Sequence, residues 1–248
     1  MAAPEPESPS PVLPRKDWPT ELVFLLFFRL LLGVAVAVSL LMVLGKTLGG
    51  KMPPVLELFL GGLAFHGTGL AVIQLFLRGA RRDWGSAFGF ATQPGAAVRL
   101  GLGVALVVLP VTYGLQAGCA WLLERVGVVA TTQRSVEMLV NDPSLLSRGL
   151  IATFAVGLAP VVEETLFRGL LFPTVRDLGW PRAALWGQAV LFGAIHANAA
   201  AFLPLTLFGA TLAWLYVRTG NLLAPIAAHA VFNLAPFVLL AAGVEFGP

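Results

Sequence analysis

Two adjacent glutamates, Glu163 and Glu164, stand inside an apolar run, whereas the rest of the 13 acidic residues fall near the N-terminus, in loops or close to the ends of such runs. An ionisable side chain there is costly enough that it normally faces a bundle interior and has a partner or a task. Successive helical residues point about 100° apart, so the two carboxylates face different neighbours, one available for chemistry and one for support. Arg168 follows Glu164 by four residues, the spacing of an intrahelical ion pair, which leaves Glu163 as the reactive carboxylate. On their own these three residues read equally well as a buried ionic staple. Two later apolar runs add His196, four residues after Phe192, and His229, four residues before Asn233, each pair on one helix face. The set is an inventory for hydrolysis. A carboxylate takes a proton from water, a histidine orients that water or acts as acid, and a histidine or asparagine N–H stabilises an oxyanion. Alternatively Glu163, His196 and His229 would hold a zinc ion with water in the fourth position.

The elements that position these residues are membrane helices. Of the 248 residues 57% are hydrophobic and 12% charged. With 27 glycines the apolar share reaches roughly 68%, against a globular norm of about 45–50%. Mean hydropathy is +0.84. This disfavours a soluble enzyme and a disordered chain, and a single cysteine, Cys119, forms no internal bridge. Net charge is +3, but the basic residues are scattered between apolar runs rather than gathered into a stripe, so a nucleic-acid surface is not expected. Residues 1–17, rich in proline with Glu5 and Glu7, read as a disordered tail, and 18–248 as a single transmembrane domain.

A crossing helix needs about 20 apolar residues. Seven stretches qualify, the fifth of them short: about Leu22–Leu44, Val55–Leu77, Val98–Leu123, Gly149–Phe172, Ala183–His196, Ala200–Val217 and Leu222–Val244. The expected fold is an all-α polytopic bundle of about seven spans. More Lys and Arg fall on the side of Arg15, Lys16, Arg78, Arg81, Arg82, Arg99, Arg176, Arg182 and Arg218 than on the other, which favours a cytoplasmic N-terminus. Helices starting near Pro181 and Asn221 would put His196 about 22 Å and His229 about 12 Å from the same face. The two must nevertheless meet, through a later or tilted fifth helix or a fourth helix running to about Leu178. His66, mid-span with no motif around it, reads as a core hydrogen-bonder, and Asn198 as a helix cap or a residue lining the site.

Glu163-Glu164-Thr-Leu-Phe-Arg168, Phe192-Gly-Ala-Ile-His196 and His229-Ala-Val-Phe-Asn233 resemble the EExxxR, FxxxH and HxxxN motifs of the CAAX-protease and bacteriocin-processing family of intramembrane endopeptidases. The resemblance runs in order from about Glu163 to Asn233 and puts a peptidase core at about 145–240. It implies peptide-bond hydrolysis within the bilayer, with Glu163 and His196 activating water, His229 and Asn233 stabilising the oxyanion, and Glu164 and Arg168 in support. It implies a membrane-associated, in some members lipidated, peptide or protein substrate, and the cytoplasmic membrane of a bacterium as the setting. The family has been read both as metal-free and as zinc-dependent. We favour the metal-free form, because Asn233 sits one turn from His229 as a second oxyanion donor would, and asparagine is an uncommon zinc ligand. The rival readings are an ion- or proton-coupled transporter and a non-catalytic membrane scaffold. Confinement of the motifs to one half of the chain argues against the transporter.

Overall fold

The computed structural model describes residues 13–47, 49, 53–128, 134–142 and 144–244. Among them are nine helices and no strand: α1 Thr20–Thr47, α2 Pro54–Gly79, α3 Trp84–Phe88, α4 Pro94–Arg125, α5 Arg134–Asn141, α6 Leu145–Asp177, α7 Pro181–Ile195, α8 Ala199–Thr219 and α9 Leu223–Ala241. The architecture is an all-α polytopic bundle. Six of these helices, α1, α2, α4, α6, α8 and α9, are long and apolar enough to cross a membrane. The expected count of about seven falls to six because α7, with 15 residues, is about 22 Å long, short of a bilayer core of about 30 Å.

The most enclosed helix is α8, which packs against α4 and α7, while α9 packs against α4 and α1 against α2. Large apolar side chains such as Phe24, Phe28 and Leu31 remain exposed on α1, as expected of a surface that meets lipid rather than water.

Helix α6 is not uniform. It opens into π-helix at Thr153–Leu158 and again at Thr165–Leu171, on either side of the two glutamates. A proline stands just beyond each wide turn, at Pro160 and Pro173, and a wide turn accommodates a residue that lacks an N–H and crowds the carbonyl four residues earlier. That carbonyl for Pro173 is Gly169 O, which accepts the buried Trp18 indole N–H at 3.0 Å.

The composition-based tail divides in two. Residues 1–12 lie outside the described residues, but 13–17 do not run free. Leu13 is buried, Arg176 donates to the Leu13 and Pro14 carbonyls, and Lys16 donates from its backbone N–H to Asp177 and from Nζ to Ala87 O at 2.9 Å. Basic and acidic partners on α6 offset the ordering entropy that the local composition cannot. These contacts also bring Lys16, Arg82 and Arg176, grouped on one face by the sequence, into one neighbourhood.

The depth conflict between His196 and His229 is resolved by two features. The fourth long helix does run on to Asp177, so Glu163 and Glu164 lie about 20 Å from that end. The α8–α9 corner, in turn, is sunk below the end rather than placed on it. Asn221 and Leu222 are fully buried under α3 and the 89–92 loop, with Leu222 N–H on Phe88 O and Asn221 Nδ2 on Thr92 O at 2.7 Å. Gly89 touches this corner so closely that a Cβ there would collide with the Gly220 carbonyl. His229 therefore starts its helix already one layer in.

Candidate active site

The supporting carboxylate is the better defined of the two. Glu164 is fully buried, and its Oε1 accepts Arg168 Nη1–H and His229 Nδ1–H, each at 2.8 Å. Arg168, also fully buried, donates its other arm to Gly209 O of α8 at 3.0 Å and stacks 4.4 Å over the Phe192 ring of α7. One guanidinium thus ties α6, α7 and α8 together. It also fixes the carboxylate that orients a histidine of α9, so Glu164 has a second role that helical spacing does not show.

His229 is nearly enclosed, with Phe192 and Phe208 edge-on to its ring. Because Nδ1–H is given to Glu164, its Nε2 points the other way and lies 4.0 Å from Glu163 Oε2. The Glu163 side chain is 14% exposed, and its Oε2 has no hydrogen-bond partner. Its Oε1 lies 3.7 Å from Nε2 of His66 on α2. His66 gives Nδ1–H to the Gly62 carbonyl at 2.8 Å, as its expected core role requires, but its other nitrogen faces Glu163. Sequence reasoning missed this. The available signal was that all three histidines lie within apolar runs and deserved the same treatment.

His196 sits just past the end of α7, half-buried, with Nδ1–H on the Phe192 carbonyl at 2.7 Å and its ring 4.9 Å from the Phe192 ring that also meets His229. It is within electrostatic reach of Glu163 but makes no ion pair with it. Helices α7 and α8 approach closely here, since a Cβ on Gly193 would come within 2.7 Å of Phe202 O. Asn198, between them, accepts Ala201 N–H and caps α8. Asn233 donates one amide N–H to Ala155 O, in the first wide turn of α6, at 2.7 Å, leaving its second N–H for another acceptor.

Three imidazoles with Nδ1–H tied down have the tautomer that metal ligands adopt. Among the described residues, however, no three His, Cys, Asp or Glu side chains converge closely enough to hold a metal ion, and Glu163, His196 and His229 as placed do not form a zinc set.

The bundle and site define a polytopic helical membrane protein with a glutamate–histidine centre inside it. Residues 146–235 match the family described as Rce1-like, type II CAAX prenyl endopeptidase. A protein of Bacillus subtilis (strain 168) named "Putative membrane peptidase YdiL" is 34% identical over 102 residues, 41% of this chain and 39% of that one. The chain thus spans about two fifths of that relative's length. No solved structure matches the chain. Both likenesses are confined to the C-terminal segment that carries the three motifs.

Proposed function

We propose that the protein is an intramembrane endopeptidase in which Glu163 is the general base. The observation that carries the reading is the division of labour between adjacent carboxylates. Glu164 is committed through Oε1 to both Arg168 and His229, with Oε2 buried and unpartnered, while Glu163 is tied to neither and faces His229 Nε2 across a gap of 4.0 Å. Glu163 takes a proton from water as the water oxygen bonds to the peptide carbonyl carbon. The proton passes to His229 Nε2, whose positive charge Glu164 then balances, and on to the leaving nitrogen as the C–N bond breaks. The spare N–H of Asn233 serves the oxyanion, and His196, at the half-exposed rim, meets water or substrate. The substrate is a membrane-associated peptide or protein, lipidated or not, and the setting is a bacterial cytoplasmic membrane with the N-terminus inside.

Glu163→Gln, which cannot take the proton, is expected to abolish cleavage of a peptide library in nanodiscs while leaving the melting temperature near wild type. Near wild-type turnover in this variant would remove Glu163 as the base. One observation favours the transport reading. His66 brings the N-terminal half into the site, and the succession His66, Glu163, His229, Glu164 also resembles a proton path. Proton flux in proteoliposomes that Glu163→Gln stops, with no cleavage by wild type, would favour transport.

A further inference from the structure

We propose that His66 is a catalytic residue of this site, accepting at Nε2 a hydrogen bond from the water that Glu163 activates; this rests on the peptidase reading above. The Gly62 carbonyl can only accept, so Nδ1 carries a proton and, in the neutral ring, Nε2 presents a bare lone pair. That Nε2 is buried without a hydrogen-bond partner, and it faces Glu163 Oε1 at 3.7 Å, with both side chains mostly enclosed at 12% and 14% exposure. Two acceptors so placed repel each other unless hydrogen lies between them, and 3.7 Å is too long for a direct bond.

A single water spans the gap. Its two O–H bonds, directed at acceptors about 2.8 Å away, ideally separate those acceptors by about 4.4 Å, so 3.7 Å requires each bond to bend by only about 10°. Held by both hydrogens, the water directs its lone pairs away from Glu163 and His66, which is the orientation a nucleophile needs. As Glu163 removes one proton and the oxygen bonds to the carbonyl carbon, His66 keeps its hydrogen bond to the remaining O–H and neither gains nor loses a proton. Phe65 and Phe154, with ring centroids 5.1 and 6.1 Å from the imidazole, confine its orientation, and α2 packs against the part of α6 that carries Glu163. His66 lies outside the segment that matches the family, so this acceptor comes from the half of the chain without motifs.

The test compares wild type, His66→Leu, His66→Gln and Glu163→Gln in nanodiscs, with a fluorogenic peptide library offered with and without a farnesylated C-terminal cysteine. His66→Leu is expected to lower kcat about 10²-fold with KM within about threefold. His66→Gln, whose side-chain oxygen restores an acceptor, should recover most of that loss. In parallel, ¹⁵N-histidine spectra report on only three residues. The Nε2 signal of His66, assigned by its absence in His66→Gln, should shift between wild type and Glu163→Gln. Unchanged kcat in His66→Leu, equal losses in the Leu and Gln variants, or a His66 signal indifferent to Glu163 would each overturn the proposal. An active Glu163→Gln removes Glu163 as the base and this proposal with it; an inactive wild type overturns the peptidase reading instead, and the spectra still decide whether His66 and Glu163 are coupled.

Discussion

Adjacent carboxylates with different partners are the residue-scale observation on which the proposed chemistry rests. Their difference depends on Arg168, whose removal leaves Glu164 buried with only His229 for compensation. Arg168→Ala is expected to cost about 3–5 kcal/mol, seen as a lowered melting temperature in detergent together with lost activity. Unchanged melting with a reduced rate would assign Arg168 to substrate binding. The same scale separates metal-free from zinc chemistry. If His229 and Asn233 act by hydrogen bonding and proton transfer, His229→Ala and Asn233→Ala each lower the rate by about 10²–10³ but leave residual activity, and chelators have no effect. Stoichiometric zinc in active protein, lost with His229→Ala and kept with Asn233→Ala, would overturn the metal-free mechanism.

At the scale of elements, the N-terminal strap is where pH enters. Burial first, then the charges of Arg176 and Arg82, push the Lys16 amine down to about 8, with Asp177 offsetting part of the effect. An undocked strap keeps the ordinary lysine value near 10.4. Below about 8 both states hold the proton and docking does not vary with pH. As pH rises from about 8 to 10.4, the docked lysine has released a proton that the undocked one still binds, so docking strengthens with pH. Melting temperature relative to Lys16→Met should therefore rise between pH 8 and 10, and parallel curves for the two proteins would refute the assignment. The wide turns of α6 belong to this scale too. They place Ala155 O against Asn233 and Gly169 O against Trp18, so both ends of the described chain are anchored to the helix that carries the glutamates.

For the whole molecule, the site is not contained in its motif-bearing half. Helix α4 packs against α8 and α9, and α2 supplies His66. A fragment covering 145–248 keeps every motif but uncovers those faces. It is expected to show no cooperative melt by circular dichroism and no cleavage. An active fragment would show that the N-terminal helices serve only to hold the protein in the membrane.

Composition and apolar run length determined the all-α membrane bundle, because a chain in lipid must satisfy its backbone within helices. Local spacing determined the Glu164–Arg168 pair, since residues four apart on one helix meet whatever surrounds them. Contacts between helices were beyond local periodicity. The third histidine at Glu163, the hold of Glu164 on His229, the Asn233 amide turned to Ala155 and the sunken α8–α9 corner all depend on how deep each helix starts and which neighbour it faces. Those quantities are set by packing, where Gly89 and Gly193 let backbones touch and one arginine spans three helices.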